Sequence, residues 1–349
     1  MLRKSKKILL VGLFLSKSNK SKIYRTAADQ LKEIFIDNEI PLICTSNKVN
    51  KILRAFDIIG TIIIHTFSYN IAVTPYYGNK QSIIIEKWSS ILLKILGKKV
   101  ILIVHGGRLP DLMRKNSKKY TAIFKYTDVI VCPSRFLQHE IGIYNYQSIV
   151  IENVLKLSDY EHNVKTKFNP NILWMRTFQD VYHPFMAIEM LKILKEKLPH
   201  AKMKMAGGDK GLLEPTKNLA LKLGLLNDVE FLGYIANFEK NDIAKQFDFY
   251  ICTNRIDNAP VSLVEMMRLG LIIVTVNSGG IPYMISNNEN GLLVNFDDAN
   301  AMANKIIEIV ENPAIGQVIA NNALNTASCY DALPVVEKWK KLFHTIEHL

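Results

Sequence analysis

Two successive series of short apolar runs, each run separated from the next by a polar or helical stretch, constrain this chain more than any other feature. In the first half the runs fall at residues 8–15, 40–45, 58–64, 100–104, 129–132 and 149–151. In the second half they fall at 172–175, 202–206, 229–232, 249–252, 272–276 and 291–294, with a clear helical pattern over 184–197. Strands that are apolar along their whole length are buried on both faces, which requires a parallel sheet covered by helices. The pattern predicts an α/β chain of two doubly wound, Rossmann-like domains facing a central cleft, at residues 1–160 and 166–330, with a polar linker near 159–170. A length of 349 residues suits two such cores. Residues 333–349 read as a helix with Val336, Trp339, Leu342 and Ile346 at helical spacing. It either ends the chain as a plain core helix or crosses back onto the first domain.

Composition removes several classes of function. No run of 18 uncharged apolar residues occurs, so no membrane span is expected. The basic start and apolar stretch of MLRKSKKILLVGLFL run straight into SKSNKSK without a small-residue cleavage site, and read as a first buried strand. Cys44, Cys132, Cys252 and Cys329 are too scattered for a zinc cluster or a disulfide framework, which suits a reducing cytoplasm. No G-x-G-x-x-G follows a strand, which disfavours a nicotinamide enzyme. No D-x-D triplet suggests a protein-held metal. The net charge of +12 is divided unevenly, with +14 in residues 1–165 and −2 in the remainder. That asymmetry points to an anionic surface. Nucleic acid is not expected, because no aromatic-interleaved basic motif accompanies the charge. Membrane headgroups fit better, with basic clusters at Arg3, Lys4, Lys6 and Lys7 and at Arg114, Lys115, Lys118 and Lys119.

Open doubly wound sheets bind ligands beyond the carboxyl ends of their strands. There the second domain carries TNRIDNAPVSLVEMMRLG, with Asp257 eight residues before Glu265 and Pro260 suited to a first helical turn. The helix start leaves N–H groups free near Pro260, Val261 and Ser262, where a diphosphate would be welcome. Asp257 and Glu265 then bracket a ligand rich in hydroxyls, or else cap a loop and decorate a solvent face. Paired glycines at Gly207-Gly208 and Gly279-Gly280 follow two further strands and permit close backbone approach, to a ligand or within a turn.

Through RTFQDVYHP, MKMAGGD, VEFLGYI, TNRIDNAPVSLVEMMRLGLIIVTVNSGGIPYMI and NGLLV, the chain resembles the GT4 retaining glycosyltransferases of the GT-B architecture. The resemblance implies transfer of a hexose-type sugar from a UDP- or GDP-linked donor to an acceptor hydroxyl, with no cofactor beyond that substrate. Asp257 would contact the donor sugar, Glu265 the ribose, and Arg176 the diphosphate. Gly207, Gly208, Tyr234, Asn258, Pro260, Val261, Ser262 and Tyr182 would complete the nucleotide-sugar site. In VHGGRLP, His105 resembles the family's histidine near the reaction centre, with Gly106 and Gly107 on the acceptor-side loop. The family's second clamp cation is missing from FQDVYHP, its first acid is Asp257 in place of Glu, and its glycine-rich first loop is poorly matched by GLFLSKSNKS. The expected setting is cytoplasmic, peripheral on the membrane's inner face, with a glycan or lipid-linked acceptor. A nucleotide-sugar epimerase and a catalytically silent binding protein of the same fold are the alternatives.

Overall fold

The computed structural model describes residues 6–14, 27–79, 82–105, 108–163, 165–236 and 239–348. Two compact units divide the chain, one formed by Met1–Leu155 with Asp331–Leu349 and the other by Lys156–Tyr330. Gly106, Gly107, Arg3 and Lys4 lie outside the described residues.

In the first unit the described elements run β1 (Lys7–Leu13), α1 (Ala27–Asp37), β2 (Leu42–Ser46), α2 (Lys51–Ile64), β3 (Tyr69–Tyr76), α3 (Ile83–Ile95), β4 (Lys99–Val104), α4 (Leu109–Lys115), α5 (Ser117–Thr121), β5 (Val129–Cys132), α6 (Arg135–Gly142) and β6 (Ile149–Val150). All strands pair in parallel in the order β2-β1-β3-β4-β5-β6. Alternation along β1 sends Ile8 and Leu10 into a core with α1, and Leu9 and Val11 into a separate core with α2 and α3.

One expected strand is a helix. Residues 58–64 are the second half of α2, and the strand at this place in the sheet is β3, which the apolar runs did not single out. An apolar β-branched run of this length does not distinguish strand from buried helix by periodicity. The N-cap decides it: the Asn50 side chain accepts from the Ile52 and Leu53 N–H groups and starts the helix upstream. Ile58 and Ile62, one turn apart, are then the buried pair. In β3, Asn70 and Pro75 interrupt the apolar run and masked a strand that sits centrally between β1 and β4.

The second unit runs β7 (Asn171–Met175), α7 (Pro184–Lys197), β8 (Lys202–Ala206), α8 (Leu213–Lys222), β9 (Val229–Gly233), α9 (Lys240–Ala244), β10 (Phe249–Cys252), α10 (Val261–Arg268), β11 (Ile272–Val276), β12 (Leu292–Val294), α11 (Ala299–Glu311) and α12 (Pro313–Ser328). Its parallel order is β12-β11-β10-β7-β8-β9. The chain leaves β7 in one direction and returns to its other side at β10, so the sheet's topological switch point lies between those two strands. The polar segment 159–170 packs within this unit, with Tyr160 and Phe168 buried.

The last helix, α13 (Ala332–Glu347), belongs to the first unit. Val335, Val336, Trp339, Leu342, Phe343 and Ile346 join its core, and Trp339 meets Phe35 of α1 edge-on at 5.7 Å. Trp339→Ala is expected to destabilise the first unit by about 3–5 kcal/mol while leaving the second unit's unfolding unchanged. A two-transition urea melt would show only the first transition moving.

Candidate functional site

The loops leaving β7 and β10 are bound to each other before any ligand is considered. Thr253 Oγ1 donates to the Tyr182 carbonyl at 2.7 Å and accepts from Trp174 Nε1 at 2.9 Å. The Arg255 N–H reaches the Val181 carbonyl at 2.8 Å. These bonds fix the stretch that carries Arg176 against the one that carries Asp257.

Arg176 occupies the switch point. Its Nη1 donates to Ser262 Oγ, its Nη2 lies 3.5 Å from Asp257 Oδ2, and its guanidinium faces the Tyr182 ring at 5.6 Å. Burial works against this charge, but Tyr250, Cys252, Asp257 and Tyr182 outweigh it and hold the group above its ordinary value. Arg176 Nε is buried with no hydrogen-bond partner. Ser262 Oγ also accepts from Tyr250 Oη at 3.0 Å. Asp257 is pinned by Asn254 Nδ2 at 2.7 Å and by the Asn258 N–H at 2.8 Å. Pro260 stands at the N-cap of α10 with no side-chain cap bond. The positive end of that helix dipole therefore lies beside the guanidinium. This is an anion-binding arrangement with a carboxylate alongside.

Residues 159–326 match the family described as glycosyl transferases group 1. The match takes in nearly all of the second unit. An uncharacterized glycosyltransferase of Methanocaldococcus jannaschii is 23% identical over 300 residues, 84% of this chain and 80% of its own. The amylovoran biosynthesis glycosyltransferase of Erwinia amylovora is 24% identical over 238 residues, 64% of this chain and 58% of its own. Among solved structures, HepE of Anabaena in complex with UDP and glucose is similar at 16% identity with a TM-score of 0.74, over 97% of this chain and 100% of that one. The fold is GT-B, built from two Rossmann-like domains.

Within the second unit the glycines join loops to each other. A Cβ at Gly207, where φ is +151°, would overlap the Arg176 carbonyl oxygen, and one at Gly280 would overlap that of Asn258. Gly280 N–H donates to the Asp257 carbonyl at 2.7 Å, and the Gly208 carbonyl accepts from Phe178 N–H at 2.9 Å. Tyr182 is half-buried over Arg176, Val261 is half-buried at the helix start, and Asn258 and Pro260 are buried. Tyr234 is exposed just beyond β9. His183, next to Tyr182, is committed to Asp297 Oδ1 at 2.7 Å in a left-handed conformation, φ 44°. His105 lies in the first unit at the end of β4, stacked on Tyr77 with ring centroids 5.4 Å apart. Burial pushes its imidazole down to about 4, so it is neutral at pH 7.

Glu265 departs from the expectation of an exposed carboxylate. It is 4% exposed. Both oxygens accept from Lys240 Nζ, at 2.8 and 2.7 Å, and Oε1 also accepts from Tyr160 Oη at 2.8 Å. No local signal marks Lys240 or Tyr160, which lie 25 and 105 residues away in sequence. Nor does the all-apolar look of FYIC betray Tyr250, whose hydroxyl supports Ser262. Removing one partner of a buried ion pair strands the other, so Glu265→Ala is expected to destabilise the second unit by about 3–5 kcal/mol. Glu265→Leu combined with Lys240→Met should recover most of that loss. Chemical denaturation of Glu265→Leu, Lys240→Met and the double variant checks it, and additive losses would show that the two groups are not coupled.

Proposed function

We propose that this chain transfers a hexose from a UDP- or GDP-linked sugar to an acceptor hydroxyl, with retention of configuration and without a protein-held metal. The observation that carries the reading is Arg176, mostly covered at the switch point with its Nε buried and unpartnered, beside the uncapped start of α10. A diphosphate there receives a guanidinium N–H, the helix N–H groups at Val261 and Ser262, and the dipole's positive end. These groups act most strongly as the diphosphate leaves and its charge grows, which is where catalysis needs them. HepE, of the same fold, is described in complex with UDP and glucose, which supports a UDP-type donor.

In this reading Asp257 receives hydroxyls of the donor sugar, since a carboxylate accepts from several donors at once. Asn258, Pro260, Tyr182, Gly207, Gly208 and Tyr234 surround the nucleotide sugar. Glu265 takes the ribose by sharing its carboxylate with Lys240, whose ammonium then lies close to the nucleotide and supplies positive charge that FQDVYHP lacks. On the acceptor side His105 meets the substrate as a neutral imidazole.

Incubation with a panel of UDP-, GDP- and ADP-sugars tests the reaction. Donor hydrolysis or transfer is expected; sugar isomerisation would instead make the chain an epimerase, and no turnover a silent binding protein. A bound donor at 100 times its dissociation constant raises stability by about 2.7 kcal/mol, readable as a thermal shift. Arg176→Ala is expected to lower kcat by about 10²–10³-fold with a smaller change in KM. A normal kcat would place the diphosphate elsewhere.

The setting we propose is polysaccharide or other bacterial-type glycan assembly, in the cytoplasm against the inner membrane face. The named role of the Erwinia amylovora relative supports it, as does the +14 charge of residues 1–165. No helix among the described residues is long and apolar enough to cross a membrane. Arg114 is paired with Asp111 and Glu140 at 3.0 and 2.7 Å, so Lys115, Lys118 and Lys119 carry more of that cluster's attraction. Flotation with anionic vesicles is expected at low salt and lost at high salt. Indifference to such vesicles at low salt would leave a soluble acceptor.

A further inference from the structure

The first sheet has a switch point of its own, between β1 and β3. A cavity of about 780 Å³ opens there, reached by Val11, Gly12 and Leu13 from β1 and by Thr74 and Pro75 from β3. Its position is where a doubly wound sheet takes a ligand, and its size is that of a small-molecule site. The walls are apolar: Ile52, Phe56 and Ile59 come from α2, and Ile84, Ile85 and Trp88 from α3. Phe56 is 74% exposed and Trp88 61%, so the cavity opens to solvent between the two helices. Apolar surface continues on both helices through Leu53, Ile63, Ile64 and Ile95, all exposed. Large apolar side chains exposed in this number on two helices that touch mark an interaction site.

Lys51 and Arg54 line the same cavity and bring positive charge to it. Tyr77 also lines it, and its ring is the one stacked on His105. The one carboxylate of the lining, Glu86, is occupied with the Tyr77 and Gly78 N–H groups at 3.1 and 3.4 Å. A water-soluble glycan would find few polar partners on these walls. A second copy of the chain, docked two-fold on this face, would set the Lys51 and Arg54 charges against copies of themselves.

We propose that the cavity binds the apolar chain of a lipid, with the lipid's anionic head held by Lys51 and Arg54. The assignment deepens the glycosyltransferase reading and rests on it for one point only, that the bound lipid is the acceptor and presents its hydroxyl on the His105 side of the unit. The membrane-facing surface of the first unit is then the α2–α3 face.

Trp88 supplies the probe. The chain has three tryptophans, and Trp174 and Trp339 are buried at 0% and 2% exposure, so a change in emission on binding reports the cavity mouth. The full-length protein is titrated with dodecyl phosphate below its micelle concentration, with dodecanol and inorganic phosphate as the other arms. A saturable blue shift is expected with dodecyl phosphate, a weaker one with dodecanol, and none with inorganic phosphate. The shift should vanish in Trp88→Phe. Phe56→Asp, at an exposed position that leaves the fold intact by circular dichroism, should weaken binding at least tenfold, and Arg54→Glu about fivefold for dodecyl phosphate alone. No saturable shift, or undiminished binding in Phe56→Asp, overturns the proposal, as does a doubling of mass by light scattering at the same concentrations. A thermal shift with UDP is read in parallel. Nucleotide binding without dodecyl phosphate binding sinks the lipid site and leaves the glycosyltransferase standing, whereas the reverse supports the cavity and sinks the nucleotide reading.

Discussion

A guanidinium buried where β7 and β10 part is the constraint on which the second unit's site depends. Arg176 is charged at any working pH, and a buried charge survives only with partners. Ser262 and Asp257 are its partners, and both come from the far side of the switch point. The start of α10 and the loop before it are therefore drawn to the end of β7. Trp174, Thr253 and the Tyr182 carbonyl form a second line of bonds across the same gap. The arrangement is preorganised: the charges that would meet a diphosphate are held by the fold and need no rearrangement to meet it.

Glycine makes that approach sterically possible. The carbonyl oxygens of Arg176 and Asn258 stand where side chains at Gly207 and Gly280 would begin. Four strand-end loops, those after β7 and β8 and those after β10 and β11, thus touch in two pairs through their backbones. Sequence reading rightly singles out these glycines as close-approach positions. It cannot say whether the approaching partner is a ligand or another loop, because both impose the same demand for a missing Cβ.

The parallel, doubly wound character of both units was legible because strands buried on both faces leave nearly unbroken apolar runs, as at residues 272–276 and 100–104. The same rule misread residues 58–64, where an apolar run belongs to a helix whose start is set by Asn50, eight residues upstream. The places of Asp257 and Ser262 at a strand end were legible, whereas Arg176 beside them was implied by the family resemblance alone. The state of Glu265 was not. Eight residues after Asp257 on a short helix, it reads as an exposed carboxylate, and only the tertiary placement of α9 and of the segment carrying Tyr160 turns it into a buried ion pair. Local spacing fixes which face of a helix a residue takes; it does not fix what covers that face.

The two sheets share a winding rule and differ in what they set at their switch points. The second places a buried arginine, an aspartate and a helix start at the parting of its strands, a polar and charged cluster suited to phosphates and hydroxyls. The first places Ile52, Phe56, Ile59, Ile84, Ile85 and Trp88 around its own parting, with cations alongside. The backbone topology makes a crevice in either case, so chemistry is decided by the side chains of the helices that flank it. In α2 and α3 those side chains are too apolar for a face that water covers: Ile63, Ile64, Ile84 and Ile95 are each more than half exposed. A packed core is not missing from these helices, since Ile58, Ile62 and Leu93 already supply it. The outward apolar residues stand outside that core, and their surface is open to whatever that face meets.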